Sequence, residues 1–235
     1  MISMPHRVML AITGAFLASS AIAQTTAGSD FSFSRFNRLR DISVRPAIIN
    51  GPVSPDVFGT AAISAGVTFY DSRFRRVSLA DRNDPAILAI AEKLRGLPAA
   101  EQLVIVQREV LARVKWSTDL ETMNVADLWA NAGETLRRGA GDSEDIAIVM
   151  MQVLKAAGFK SRDLYISIGR QKPIGAHIVL LARTPEGFMV LDDRVGRPML
   201  AQSNRQFTPV LTIGEGKSWI HGRRIRGMTA HALAH

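Results

Sequence analysis

Cysteine is absent from the 235 residues. That excludes disulfides, thiolate-held metals and any thiol nucleophile. It leaves an oxidising compartment open, because a chain of this length can bury enough apolar surface to fold without staples. Also missing is any uninterrupted apolar run near the ~18 residues that a membrane-spanning helix needs. Aromatic residues are few, at 6%, and they are not interleaved with the basic residues as a nucleic-acid surface requires. Acids are the minority, 21 against 29 Lys and Arg, for a net charge of +8.

What is present begins with an export pattern. Arg7 precedes a largely apolar run of 11 residues, Val8 to Ala18, and Ala21-Ile22-Ala23 sets small residues two apart before Gln24. That order is expected of a signal peptide over residues 1–23 cut after Ala23, the competing reading being a buried N-terminal helix. The remaining 212 residues hold 28 basic and 21 acidic side chains, or +7. The expected location is periplasmic or secreted. No nucleic acid is expected as a partner there. An anionic membrane surface is the neighbour that the basic excess suits, although the scattered arginines read equally as ordinary solvated faces.

Residues 24–55 mix Ser, Gly, Pro, Asn and Arg without periodicity and are expected to form a flexible basic arm. Val57 to Leu79 suits short strands and turns, with Val67-Thr68-Phe69-Tyr70 the best strand. Asp84-Pro85 reads as N-cap and first helical residue of a helix that Gly96 ends. Pro98 opens another, with Leu103, Val106, Val110, Leu111 and Val114 on one face and Trp116 packed near its end. Asn124 is expected to cap a short helix through Leu128 and Trp129 that stops near Gly133. A further helix runs from about Asp142 to Ala157, with Ile146, Met150, Val153 and Leu154 as its stripe and Gly158 as its stop.

The period then changes to two. Leu164–Ile168, His177–Ala182 and Phe188–Asp192 read as three strands, the last two joined by the turn Thr184-Pro185-Glu186-Gly187. Helices followed by an antiparallel meander predict an α+β fold. Residues 222–235 are expected to be a basic C-terminal tail.

On these elements Ser143 falls in the first turn of a helix, His177 opens a strand and Asp192 ends the next. A helix N-terminus favours negative charge on a nucleophile. A histidine on a nearby strand can take its proton, and a carboxylate can orient the imidazole. The same three residues could equally be a cap, a packed histidine and a turn residue. The order nucleophile–His–Asp and the absence of a G-x-S-x-G elbow exclude an α/β-hydrolase.

The local sequence is more specific. Asp127-Leu128-Trp129, Glu134-Thr135-Leu136 and Gly141-Asp142-Ser143-Glu144-Asp145-Ile146-Ala147 are followed by Ala176-His177-Ile178-Val179-Leu180 and Val190-Leu191-Asp192-Asp193. This ordered run resembles the D-x-W, E-x-L, G-D-C-E-D-x-A, H-x-V-L and V-L-D-N motifs of the bacterial transglutaminase-like cysteine peptidases, a group that includes periplasmic proteases releasing biofilm adhesins. Weaker similarity at Val57-Phe58-Gly59-Thr60, Thr208-Pro209-Val210 and Ser218-Trp219 extends the likeness to about residues 57–221, within an expected domain of 56–221.

The resemblance implies a papain/transglutaminase-like core, helices packed on an antiparallel sheet. It implies Ser143 in the place of the nucleophilic cysteine, His177 as general base, Asp192 as its orienting acid, and a protein or peptide segment of the cell envelope as ligand. Asp193 stands where the family carries Asn. Trp129 matches the family's upstream tryptophan, a cleft-wall residue or an oxyanion contact. The resemblance also implies calcium, and no organic cofactor, at Asp142, Glu144 and Asp145. The plainer reading of these acids is that a helix dipole favours them, and three adjacent carboxylates on one helix cannot all face one ion.

A serine hydroxyl ionises far less readily than a thiol, whose pKa starts near ~8.5, and Asp142 and Glu144 oppose an alkoxide between them. The expectation is a weakened or non-catalytic homologue that binds a polypeptide segment. The alternative is an active hydrolase using Ser143, His177 and Asp192.

Overall fold

The computed structural model describes residues 51–79, 83–124 and 128–223. The expected signal peptide, most of the expected arm and all but the first two residues of the tail lie outside the described residues. No described helix is long and apolar enough to cross a membrane.

Strand β1 (Thr60–Ser64) precedes helices α1 (Phe69–Ser78), α2 (Pro85–Ala91) and α3 (Ala99–Leu111). Then come β2 (Lys115–Trp116), α4 (Asp119–Met123), α5 (Ala132–Arg138), β3 (Ala140–Gly141) and α6 (Ser143–Ala156). Six strands complete the chain: β4 (Leu164–Gln171), β5 (Gly175–Thr184), β6 (Gly187–Leu191), β7 (Met199–Leu200), β8 (Phe207–Gly214) and β9 (Lys217–Arg223). β2 and β3 form a short parallel ladder, and the other seven strands make one antiparallel sheet in the order β1-β9-β8-β4-β5-β6-β7. The α+β expectation holds, with the β4–β5–β6 meander at the centre of a wider sheet.

Alternation along the strands builds two cores. Leu164, Ile166, Leu180, Ala182, Leu191 and Ile213 face the helices, and Tyr165, Val179, Leu181, Val190, Phe207 and Trp219 pack on the other side of the sheet. The expected stripe of α6 is only part of its contact surface, because every residue from Asp145 to Leu154 is buried. α6 lies between the sheet and helices α2, α3 and α5, so it is apolar nearly all round. Its one long polar side chain in that stretch, Gln152, donates from Nε2 to the Val77 carbonyl, while its Oε1 has no hydrogen-bond partner among the described residues.

Several local expectations are corrected. Val67–Tyr70 is not a strand: Thr68 caps α1, its N–H and hydroxyl both meeting the Asp71 carboxylate, and Phe74 and Val77 turn inward. The β-branched and aromatic run suggested a strand, but the T-x-x-D capping box decides the helix. Asn124 is not an N-cap. It ends α4 in the left-handed region (φ 57), which Asn tolerates, while the Thr118–Glu121 capping box starts that helix earlier. Leu128–Ala130 is not helical. Gly133 sits inside α5 because Asp84 Oδ2 lies 2.1 Å from where a Cβ would project. Trp116 is half-exposed on β2, with the Arg194 guanidinium 4.6 Å over its ring.

The domain edges also move outward. Val53, at the end of the expected arm, is fixed by the buried Tyr165 hydroxyl, which accepts from its N–H at 2.9 Å and donates to its carbonyl at 3.0 Å. β9 includes Gly222 and Arg223, two residues beyond the expected domain.

Asp84 meets its sequence expectation, accepting from Ala86 N at 2.8 Å as the cap of α2 and pairing with Arg137 on α5 at 2.5 Å. Asp84→Ala is expected to cost about 1–2 kcal/mol of stability, measured as a lower denaturant midpoint at unchanged slope. No loss would show that the cap and the bridge between α2 and α5 are energetically idle.

Candidate active site

Ser143 is the first helical residue of α6, immediately after the Asp142 cap, whose carboxylate accepts from Asp145 N at 3.4 Å. Its Oγ lies 3.1 Å from Nδ1 of His177 near the start of β5. On the far side of that ring, Nε2 lies 2.9 Å from Oδ1 of Asp192, the residue after β6. Asp192 is an acceptor there, so the imidazole proton belongs on Nε2 and Nδ1 remains to accept from the serine. The three sequence candidates are thus brought into one chain of hydrogen bonds. His177 and Asp192 are buried.

The supports of this chain come from distant parts of the sequence. Burial pushes the Asp192 carboxyl up, but the bonds from His177 and from Arg194 N at 2.8 Å outweigh it and hold the group below its ordinary value. Gln107 of α3 donates to the Asp192 carbonyl at 3.1 Å and also to the Val195 carbonyl, clamping the loop after β6. Gly169 pairs with His177 across β4 and β5, and a Cβ there would meet Thr208 O at 2.4 Å and the Phe207 ring at 2.7 Å. Phe207 in turn stands edge-on to the imidazole, 6.4 Å between centroids. Gln107 and Gly169 carried no signal in the sequence, since neither belongs to a motif.

Ser143 and His177 open onto a cleft of about 310 Å³ whose apolar walls include Tyr70, Trp116, Trp129, Ile168 and Ile178. Trp129 is buried and stacks on Tyr70 at 5.9 Å, which makes it a wall residue. Asp127, from the same matched motif, lies outside the described residues.

The three acids of the motif separate. Asp145 turns into the core, accepting from Ala130 N at 2.9 Å and pairing with Arg138 at 2.7 Å. Asp142 and Glu144 instead converge with Asp119 of α4, ligand oxygens of all three lying within 4.8 Å of one another. Asp119 was not legible as a member, being 23 positions upstream on another helix. Its Oδ2 accepts from Leu128 N, while its buried Oδ1 has no hydrogen-bond partner among the described residues. Burial and the Glu144 charge push the Asp142 carboxyl up to about 8. An unpaired buried oxygen among crowded carboxylates fits an oxygen-coordinated cation such as calcium, with Asp119, Asp142 and Glu144 rather than Asp145 as the candidate holders.

This crowding has a signed consequence. In the cation-free protein Asp142 keeps its proton to about pH 8, and burial pushes Asp145 to about 7. At these two carboxyls the folded state binds more protons than the unfolded state between about pH 4 and 8, so their contribution to stability falls as pH rises through that window. The half-buried His221, pushed down by desolvation from 6.5 to about 4, offsets part of the fall in the lower half. In chelator, the thermal midpoint is expected to decline from pH 5 to 8, and Asp142→Asn to flatten most of the decline. A midpoint that rises over this range contradicts the crowding.

Comparison with known proteins identifies the family and the fold. The family model of the bacterial transglutaminase-like cysteine proteinases (BTLCP) matches residues 89–218. The calcium-bound structure of LapG from Legionella pneumophila is 25% identical, over 63% of this chain and 86% of that one, at a TM-score of 0.52. The EGTA-treated LapG structure, 24% identical over 66% and 87%, has the same TM-score and supports the fold. No curated protein matches. The chain belongs to the bacterial transglutaminase-like cysteine proteinase family and carries no cysteine with which to perform that family's named chemistry.

Proposed function

We propose that this protein is an exported peptide-bond hydrolase in which Ser143 serves as the nucleophile. The observation that carries the reading is the unbroken chain from Ser143 Oγ to His177 Nδ1 at 3.1 Å and from His177 Nε2 to Asp192 at 2.9 Å. As Oγ attacks a carbonyl carbon, its proton passes to Nδ1. The imidazolium so formed donates from Nε2 to Asp192, then returns the Nδ1 proton to the departing amine. Water, activated by the same nitrogen, cleaves the acyl-serine. The aromatic and isoleucine walls suit a polypeptide segment of the cell envelope laid along the cleft. Export rests on the signal-like pattern of residues 7–23.

Calcium fits the oxygens of Asp119, Asp142 and Glu144. Bound there it would supply the positive charge that offsets three carboxylates beside the nucleophile. In its absence the Glu144 charge opposes an oxyanion at Ser143, and the Asp142 carboxyl, pushed up to about 8, adds to that opposition once it ionises. That same opposition favours the second reading, a scaffold that binds a segment without cutting it.

A fluorophosphonate reporter tests the nucleophile. Ser143 is expected to be labelled, with the rate falling by about 10³-fold or more in His177→Ala. Equal labelling of both proteins would remove His177 from the chemistry, and an unlabelled natural chain would favour the scaffold. Calcium at about a hundredfold its Kd is expected to add about 2.7 kcal/mol of stability, reversed by chelator and abolished in Asp119→Asn. No shift in the natural chain would exclude the site.

A further inference from the structure

Asp193 is a second buried carboxylate at the same imidazole, and the triad makes no use of it. Its side chain is 3% exposed. Oδ1 lies 3.4 Å from His177 Nε2, Oδ2 lies 3.4 Å from Ser143 Oγ, and Arg194 Nε approaches Oδ2 at 3.3 Å. The carboxylate therefore spans the nucleophile and the base, touching both reacting partners.

We propose that Asp193 is a positioning and charge-stabilising residue that fits this site to a hydroxyl nucleophile, sharing with Asp192 the positive charge that His177 acquires during attack. The inference rests on the hydrolase reading. In the form that can take the serine proton, the imidazole has one hydrogen, on Nε2, and it goes to Asp192, the nearer oxygen at 2.9 Å. Asp193 then faces a ring with nothing more to donate. The hydroxyl holds one hydrogen, with Nδ1 at 3.1 Å and Asp193 Oδ2 at 3.4 Å as its two acceptors, so Oγ is confined between them. On attack, Oγ bonds to the electrophilic carbon and the proton moves to Nδ1, leaving the ring with a full positive charge. Asp193 accepts no proton in this step. An unlike charge so close to the ring, in a site with little water to screen it, favours the charged imidazole.

Other groups set the limits of the effect. Burial, helped by the Asp192 charge, holds the Asp193 carboxyl above its ordinary value, against the opposing pull of His177 and Arg194. Asp142 and Glu144 line the same cleft on the α6 side. Stacking of Arg194 over Trp116 at 4.6 Å holds the guanidinium beside Asp193, while Asp192 takes only the Arg194 backbone N–H, so the pair of carboxylates has one cation at Asp193 before the reaction supplies a second. A serine suits this arrangement because it starts neutral. A nucleophile already anionic at rest would meet the negative Oδ2 at 3.4 Å.

The test uses the full chain and Asp193→Asn, with calcium held constant. Asp193→Asn is nearly isosteric, and an unchanged thermal melt checks its fold. The imidazole nitrogens of His177 are followed by NMR against pH, which needs no turnover. In Asp193→Asn the titration midpoint is expected to move to lower pH by about one unit. The fluorophosphonate labelling rate of Ser143 is expected to fall about tenfold, with its acidic limb moving in the same direction, a change that a merely structural role would not produce. A midpoint that stays in place, or a labelling rate that holds or rises, overturns the proposal. If the natural chain is never labelled, the hydrolase reading fails, and the NMR shift alone decides whether Asp193 holds the charged ring.

Discussion

Burial of α6 is the constraint on which the rest depends. A helix with every residue from 145 to 154 out of water has one place to lie, between the sheet and the surrounding helices. Each large side chain there contributes about 1.5–3 kcal/mol of burial free energy, so sliding or rotating the helix is costly. That fixes its first turn in space. Ser143 opens the helix, and its register against β5 delivers Oγ to within hydrogen-bond reach of His177. The site is accurate because the core beneath it is tightly held. The loop carrying Asp192 gains the same accuracy through Gln107, which reaches it from α3 on the far side of the chain's order.

The same geometry concentrates negative charge. Asp119, Asp142 and Glu144 crowd one side of the helix start, and Asp192 and Asp193 crowd the imidazole. A helix N-terminus tolerates some of this, but not three converging carboxylates with a buried unpaired oxygen. A cation on one side and a transient imidazolium on the other are the charges that such an arrangement lacks. Catalysis and ion binding are in this account two answers to one electrostatic problem, set by the packing of a single helix.

Much of this was legible in the sequence because it is local. The apolar spacing of α6, the alternation in β4 to β6, the Asp84-Pro85 cap and the Ser143, His177 and Asp192 candidates all depend on neighbours along the chain. Two of the failures were local capping signals outweighed by composition, and the others depend on how the chain folds back on itself. Val67–Tyr70 reads as a strand by composition, and only the Thr68–Asp71 pairing turns it into the start of α1. Asn124 is as good a C-cap as an N-cap until the preceding Thr118–Glu121 box is weighed. Asp145 looked like a ligand from its place in the motif, yet one turn of α6 points it at Arg138 in the core. Asp119 takes its place at the acidic cluster from a helix 23 residues upstream, a separation that no motif spans.

The central claim is that replacing the family's cysteine left a working hydrolase, with serine doing the attack. Its most direct test is cleavage of a diverse peptide library by the purified natural chain, read by mass spectrometry beside Ser143→Ala and Ser143→Cys. The account predicts cleavage by the natural chain, none by Ser143→Ala, and the same cut sites in Ser143→Cys. Cleavage confined to Ser143→Cys would contradict it, showing that the pocket and base are intact and that the serine itself is what silences them.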